Sequence, residues 1–434
     1  MGVQGRTCLR KGAPRGQRGA VAIMVALTLL MLVGMFGLAV DAGRLYVNKS
    51  ELQSAADACA LAAAQELVCQ PGGGINCDAG FLHNAEAAGI LAGGRNRAQL
   101  QGPAVQIAPA DVRFHTDIGP NGSYLSRAAG ANPNSRFAMC IARANGVTPW
   151  VMGVMGIGAS NVDATAVATL APGRSFCSGA PIGICRKPGG VSPSYGYGIG
   201  EWISSNFTSN GNGNSSLDDL SGSFRWVDFS PNAGGNSEIR DQLYGRNQVC
   251  GLRVGDNIQQ PGTQQGAKAA YNTRFGIYPN GANAETPQSA PPDRTGYAYP
   301  NQAPGVPVIG IGTSAYDDYR ARQAQHTPFL SNQYGVSGPG GNFSGNPINA
   351  GDHTTYGTER RLIAAPVIDC DAGNTVPMIG MACVLMLNPM SNGANGTIYL
   401  EYRGNAAAPG SPCRSFGGAG GPGSNGPLVP ALVQ

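Results

Sequence analysis

The chain has little charge, few aromatic residues and almost no histidine. Only 12% of its 434 residues are Asp, Glu, Lys or Arg, against about 25% in ordinary soluble domains. The histidines are His83, His115, His326 and His353; none stands at ligand spacing from a cysteine and no CxxC occurs, which argues against a zinc site. The lack of a GxSxG elbow removes the usual hydrolase nucleophile, and the glycine clusters at Gly196–Gly200 and Gly310–Gly312 form no GxGxxG or P-loop pattern, near-matches being expected by chance in a chain this rich in glycine. No residue is nominated as catalytic. No cofactor, metal or small-molecule substrate is expected.

Long apolar runs are absent too, save one. Residues 20–40 read AVAIMVALTLLMLVGMFGLAV, about 31 Å of helix, which matches the ~30 Å hydrocarbon core of a bilayer. Arg6, Arg10, Lys11, Arg15 and Arg18 precede it without an acid, and Asp41 follows at once. That asymmetry places the N-terminus in the cytoplasm and the body across an inner membrane. A cleaved secretory signal would have a shorter apolar region, roughly 7–15 residues, before a small-x-small site. Apart from those five cations the chain has 24 basic and 25 acidic residues. The slight basicity is therefore a topology signal and gives no reason to expect nucleic acid as a partner.

Cys8 precedes the run, on the reducing side. The other ten cysteines are Cys59, Cys69, Cys77, Cys140, Cys177, Cys185, Cys250, Cys370, Cys383 and Cys413, an even number that suits a disulfide framework in a periplasm. Two short loops are expected, Cys69 with Cys77 and Cys177 with Cys185, although spacing alone does not give the pairing.

Helical periodicity continues past Asp41. Leu45, Leu52, Ala56, Cys59, Ala63 and Leu67 recur at steps of three, four or seven, the seam of an amphipathic helix. One rod over 20–67, ~70 Å long, is expected to leave the bilayer and lay its alanine-rich face on a small domain. A second helix is expected at 79–93, then strands at 105–114, 136–144 and 161–170. In the last, Val162, Ala164, Ala166, Ala168 and Leu170 share one face.

After Pro172-Gly173 the composition turns to Gly, Pro, Asn and Ser, and helical periodicity nearly vanishes. Strand-like islands stand at 224–229, 306–311, 362–368, 382–387 and 397–402. The expected fold class is α+β: a transmembrane helix extended into a pilin-like α+β domain, then a β-rich, loop-rich periplasmic domain. The expected units are a basic tail (1–18), the span (19–40), the first domain (41–173), the second (174–405) and a flexible tail (406–434). Residues 280–305 and 335–350 read as its loosest loops.

Other patterns weigh less. Asp219-x-Ser221-x-Ser223 matches a divalent-metal motif of von Willebrand factor A domains, but no buried strand precedes it, so a polar turn is the plainer reading. Asp317-Asp318 and Asp369-Cys370-Asp371 suit turns better than a calcium site. Trp202, Trp226 and Tyr195, Tyr197, Tyr297 and Tyr299 are candidates for a binding face, or for core packing.

The residues from Gly19-Ala20-Val21-Ala22 through the apolar run, then Asp41-Ala-Gly-Arg44-Leu45-Tyr46 and Leu52-Gln-Ser-Ala55-Ala56-Asp57-Ala58, closely resemble the N-terminal segment of TadG-type Tad (Flp) pilus-assembly proteins. Thr148 to Leu170 is similar to the end of that domain, and FRWVDF at 224–229 and Arg360-Arg361 to Cys370 are weaker echoes. The resemblance implies a non-enzymatic assembly or minor pilin-like protein whose partners are the inner membrane and other pilin-like Tad components. The alternative is a surface or tip adhesin that uses its second domain. Pilins of the wider class are cut after a glycine by a prepilin peptidase; if Gly19 were that junction, Ala20 would be first and Met24 fifth in the mature chain. Pilins use a glutamate at that fifth place to offset a neighbour's terminal ammonium, and Met24 cannot. A buried ammonium without a partner costs several kcal/mol, which disfavours a repeating place in a filament shaft. The seam Leu45, Leu52, Ala56, Cys59 and Ala63 is the expected contact with other subunits.

Overall fold

The computed structural model describes residues 18–67, 79–206, 221–230, 235–261, 266–282, 284–300, 309, 312–330, 345–390, 397–421 and 423–433. Helix α1 runs from Arg18 to Gln65 without a break. From Val21 to Leu38 its side chains are bare apart from Gly34 and Gly37, and from Leu52 onward one face is fully buried. The same helix thus has two compositions, leucine and methionine first and alanine later, and the chain itself covers only the second.

The buried face packs on helix α2 (Ala79–Gly93) and on an antiparallel sheet of β1 (Val112–His115), β2 (Leu125–Ser126), β3 (Phe137–Val147) and β4 (Ser160–Phe176), ordered β4-β3-β1-β2. Alanine meets alanine across this contact: Ala55, Ala56, Ala60 and Ala63 of α1 share one cluster with Ala138 and Ala142 of β3 and Ala164, Ala166 and Ala168 of β4. Small side chains bring the backbones close but bury little area each. The contact is therefore stapled: Cys59 is joined to Cys140 of β3, a link worth about 3–4 kcal/mol through the loop it closes. Helix α2 comes equally close, because a Cβ on Gly89 would lie 3.1 Å from Cys59 Sγ and one on Gly93 2.9 Å from Ile107 Cγ1.

The second sheet is built of Ser221–Gly222, Trp202–Asn206, Thr397–Asn405, Gly380–Met386, Leu362–Ile368, Ile182–Cys185 and Phe224–Trp226, in that spatial order. Its pairings are antiparallel except that of Ile182–Cys185 with Leu362–Ile368. Residues 362–368 and 380–386 are buried along their whole length, because both faces of the sheet are covered.

Several expectations are corrected. Cys177 pairs with Cys250, and Cys185 with Cys370, so the expected short loop Cys177–Cys185 does not form; Cys383 pairs with Cys413. Cys69 and Cys77 lie outside the described residues, as do Asp219 and most of 306–311. The second region is not merely strands and loops: helices occupy Asn236–Tyr244, Ala267–Thr273, Tyr316–Ala324 and Ala350–Tyr356. Much of the supposed loose segment 280–305 is core, with Tyr297, Ala298 and Tyr299 buried. The expected flexible tail is largely structured. Gly417–Ala419 pairs with residues 173–176 of β4, and Leu428–Leu432 with residues 168–172, so both extend the first sheet along the same edge.

Candidate functional site at the membrane exit

Beyond the apolar run, polar residues of α1 recur at 41, 44, 48 and 51, the i, i+3, i+4 spacing that puts them along one side of a helix. Each is used as a bracket for a loop. Asp41 Oδ1 accepts the N–H of Trp150 at 2.7 Å, and its Oδ2 accepts those of Val151 at 3.1 Å and Met152 at 2.7 Å. The Met152 N–H, with help from those of Trp150 and Val151 and from the Arg44 charge, holds the Asp41 carboxyl below the ordinary carboxylate range against its own burial. Arg44 Nη1 donates to the Thr148 carbonyl at 2.6 Å while its guanidinium lies 4.5 Å from the Trp150 ring centre. Lys49 donates to the carbonyl of Asp163.

The second loop is gripped one turn further on. Asn48 Oδ1 accepts from Gln99 N at 2.7 Å, and Glu51 accepts from Leu100 N at 3.1 Å and Gln101 N at 3.3 Å. Gln99, Leu100 and Gln101 all have positive φ, near 60°. A left-handed turn of three non-glycine residues costs roughly 1–2 kcal/mol per residue, and the converging acceptors of α1 offset that cost.

Glycine sets how close the first loop can come. A Cβ on Gly37 would lie 2.6 Å from Val151 Cγ1. Leu38, Ala42, Leu45, Val147, Met152 and Ile157 line a cleft of about 120 Å³ beside it.

The sequence-nominated residues distribute as follows. Gly19 and Ala20 lie in the first turn of α1, and Met24 is exposed on it. Leu52, Ala56, Cys59 and Ala63 are fully buried within the chain's own first cluster and Leu45 is half-buried against it, so the chain itself covers most of the expected subunit seam. Of the two readings of the aromatics, core packing holds: Trp226, Tyr195, Tyr197, Tyr297 and Tyr299 are buried and Trp202 is half-buried. The acids weighed for calcium are engaged otherwise, Asp369 with Arg186 and Asp318 with Arg322 and the Tyr299 hydroxyl. Among the described residues no three His, Cys, Asp or Glu side chains converge as metal ligands. The loop-bracketing roles of Arg44, Asn48 and Glu51 were missed by sequence reasoning; the visible signal was their helical spacing from Asp41.

Residues 19–66, α1 to within a residue, match the family model described as putative Flp pilus-assembly TadE/G-like. Helix α1 is a TadE/G-like segment. The match therefore takes in the apolar half and the bracket residues of the Tad helix, and ends before α2. No curated protein and no solved structure matches the chain.

Proposed function

We propose that the chain is a non-enzymatic, single-pass component of a Tad (Flp) pilus-assembly system. On this reading α1 crosses the inner membrane with its N-terminus in the cytoplasm, and the body stands in the periplasm. The carrying observation is that the family match coincides with a helix whose first half is bare and apolar while its second half is fused into the body. Disulfides such as Cys59–Cys140 suit an oxidising compartment. The buried carboxylate nearest to a hydroxyl, Glu401 beside Ser314 at 2.7 Å, also accepts from Ala315 N and pairs with Arg403. That arrangement is structural support, with no free acceptor pointed at solvent.

With the alanine seam covered, contact with other pilin-like subunits falls to the bare half of α1, where small residues let helices approach in lipid. The adhesin alternative loses the exposed aromatics that motivated it. A periplasmic reporter fused after residue 433 is expected to be active and a cytosolic one silent, and removing the chain is expected to abolish Tad pili. Pili of normal number that fail only in attachment would instead favour the adhesin. Mass determination of the membrane-extracted protein is expected to find no cut after Gly19, and a cut there would move the chain toward the filament.

A further inference from the structure

The body touches α1 inside the apolar run itself. Val151 packs against Gly37, four residues before Asp41, which is about 6 Å, or one turn, into the span. Between Arg143 and Asp163 no residue is charged. The loop that reaches down carries exposed apolar side chains, with Trp150 61% and Ile157 48% accessible, and Tyr46 of α1 stands 78% accessible just beyond it. Many of its backbone groups are paired within the protein: Asp41 accepts three N–H groups, Arg44 donates to the Thr148 carbonyl, and Ile157 N and Gly156 N donate to Met152 O and Gly153 O.

We infer that residues 147–158 form a second membrane contact, a loop that sinks into the interfacial layer of the bilayer around α1. The occupant of its apolar surface is lipid. Three points select lipid. The loop is continuous with a helix face that the proposed function already places in hydrocarbon. Trp150 and Tyr46 are the residue types that settle at headgroup depth. A loop enters a water-poor layer at low cost only where its backbone polar groups are paired within the protein, and the N–H groups of Trp150, Val151, Met152, Gly156 and Ile157 and the Thr148 carbonyl are so paired. Asp41, which ends the span, is thereby shielded: its charge is spent on N–H groups of the loop, and the Arg44 guanidinium is held in the same place by the Thr148 carbonyl and the Trp150 ring.

The inference rests on α1 being a transmembrane anchor, so the test separates the two. The full chain is reconstituted in phosphatidylethanolamine–phosphatidylglycerol vesicles that carry a spin-labelled lipid with its label near the headgroup. Tryptophan quenching is compared with that of Trp150→Phe, a change at an exposed ring that keeps an aromatic face for Arg44. Trp202 and Trp226 remain as reporters of the fold. The expected result is quenching in the parent that is mostly lost in Trp150→Phe, with the remaining emission unchanged. Equal quenching in both proteins, or none in the parent, overturns the loop contact. Resistance to alkaline carbonate extraction is measured in parallel: if the parent resists extraction yet Trp150 is not quenched, the loop proposal fails alone. If the parent is extracted, the anchor reading fails and takes the loop with it. Trp150 quenched only before other Tad components are added would assign the surface to a protein partner and also overturn the proposal.

Discussion

Arg414 Nη2 lies 3.0 Å from Glu66 Oε1, joining the turn after α1 to a residue 348 positions later. The same guanidinium lies 3.4 Å from Glu359, which also pairs with Arg320 at 3.2 Å. Burial pushes the Glu359 carboxyl up, but Arg320 and Arg414 hold it below its ordinary value. Arg414 thus links Glu66, just past α1, to Glu359, just before the strand Leu362–Ile368, and Glu359 carries the link on to Arg320.

Arg414→Ala is expected to destabilise the full chain by about 1–3 kcal/mol, since it leaves Glu66 unpaired and Glu359 with one cation. Denaturant titration in detergent reads this. The Glu359 contribution is present above the unfolded carboxylate value and is lost as pH falls through its depressed folded value, so the gap between parent and variant should shrink in acid. A gap that widens in acid would be the wrong sign.

Cys59→Ala with Cys140→Ala is expected to lower stability by about 3–4 kcal/mol. Alanine suits the surrounding alanine cluster, so the loss reports the link and little else. A denaturation midpoint that does not move would show that the helix-on-sheet contact stands on packing alone.

His353 supplies a separate pH window. It is buried, its Nδ1 lies 2.7 Å from the Asp293 carbonyl oxygen and so donates to it, and its Nε2 is buried without a partner among the described residues. Burial pushes the imidazole below its ordinary value. The stabilising effect is complete above the unfolded value near 6.5 and is lost as pH falls toward the lower folded value. Stability measured from about pH 7.5 to about pH 5 should fall in the parent and fall less in His353→Phe. Equal slopes would refute the assignment.

Asp41→Ala is expected to release the loop at 148–152, read as faster hydrogen exchange at the amides of Trp150, Val151 and Met152. Asp41→Asn, which keeps one acceptor oxygen, should lie between. Because the carboxyl is held low, protection should persist at neutral pH and be lost only in strong acid. Unaltered exchange in the alanine variant would show the loop to be held by packing on Gly37.

Gly93→Val is expected to cost about 1–3 kcal/mol by overpacking against Ile107 and Cys59. Gly43→Ala is the control: nothing lies within 4 Å of its added Cβ, so helix propensity should make it neutral or stabilising by up to ~1 kcal/mol. The two glycines would have to respond alike for the close approach of α2 to be unimportant.

What could be read from the chain follows interaction range. Helix α1 was legible because its signals are local: an apolar run of membrane length and an alanine seam at helical spacing. Strands 362–368 and 397–405 were legible for the same reason, as compact apolar or alternating runs between turn residues. The helices at 236–244 and 316–324 were not, because each is short and offers only a few inward residues, Ile239 and Leu243 in one and Tyr316 and Tyr319 in the other. Disulfide pairing is a property of the folded topology, so Cys185 finds Cys370 from 185 positions away while its nearer neighbour Cys177 turns to Cys250. Proline content misled at 280–305 and glycine content in the tail, where such segments are anchored by buried tyrosines, by Cys413 and by strand pairing. At the candidate site, Asp41 was visible as the end of the span, but its three N–H partners lie more than a hundred residues on.

The strand Leu428–Leu432 lies beside β4, yet it follows the entire second sheet in the chain order. A protein made N-terminus first can therefore raise its helix and four strands early but must leave one border of that sheet unpaired until the distal segment has also been made. Chains cut short anywhere in between would display a bare, sticky margin, a mark by which quality-control proteases could sort unfinished copies from finished ones.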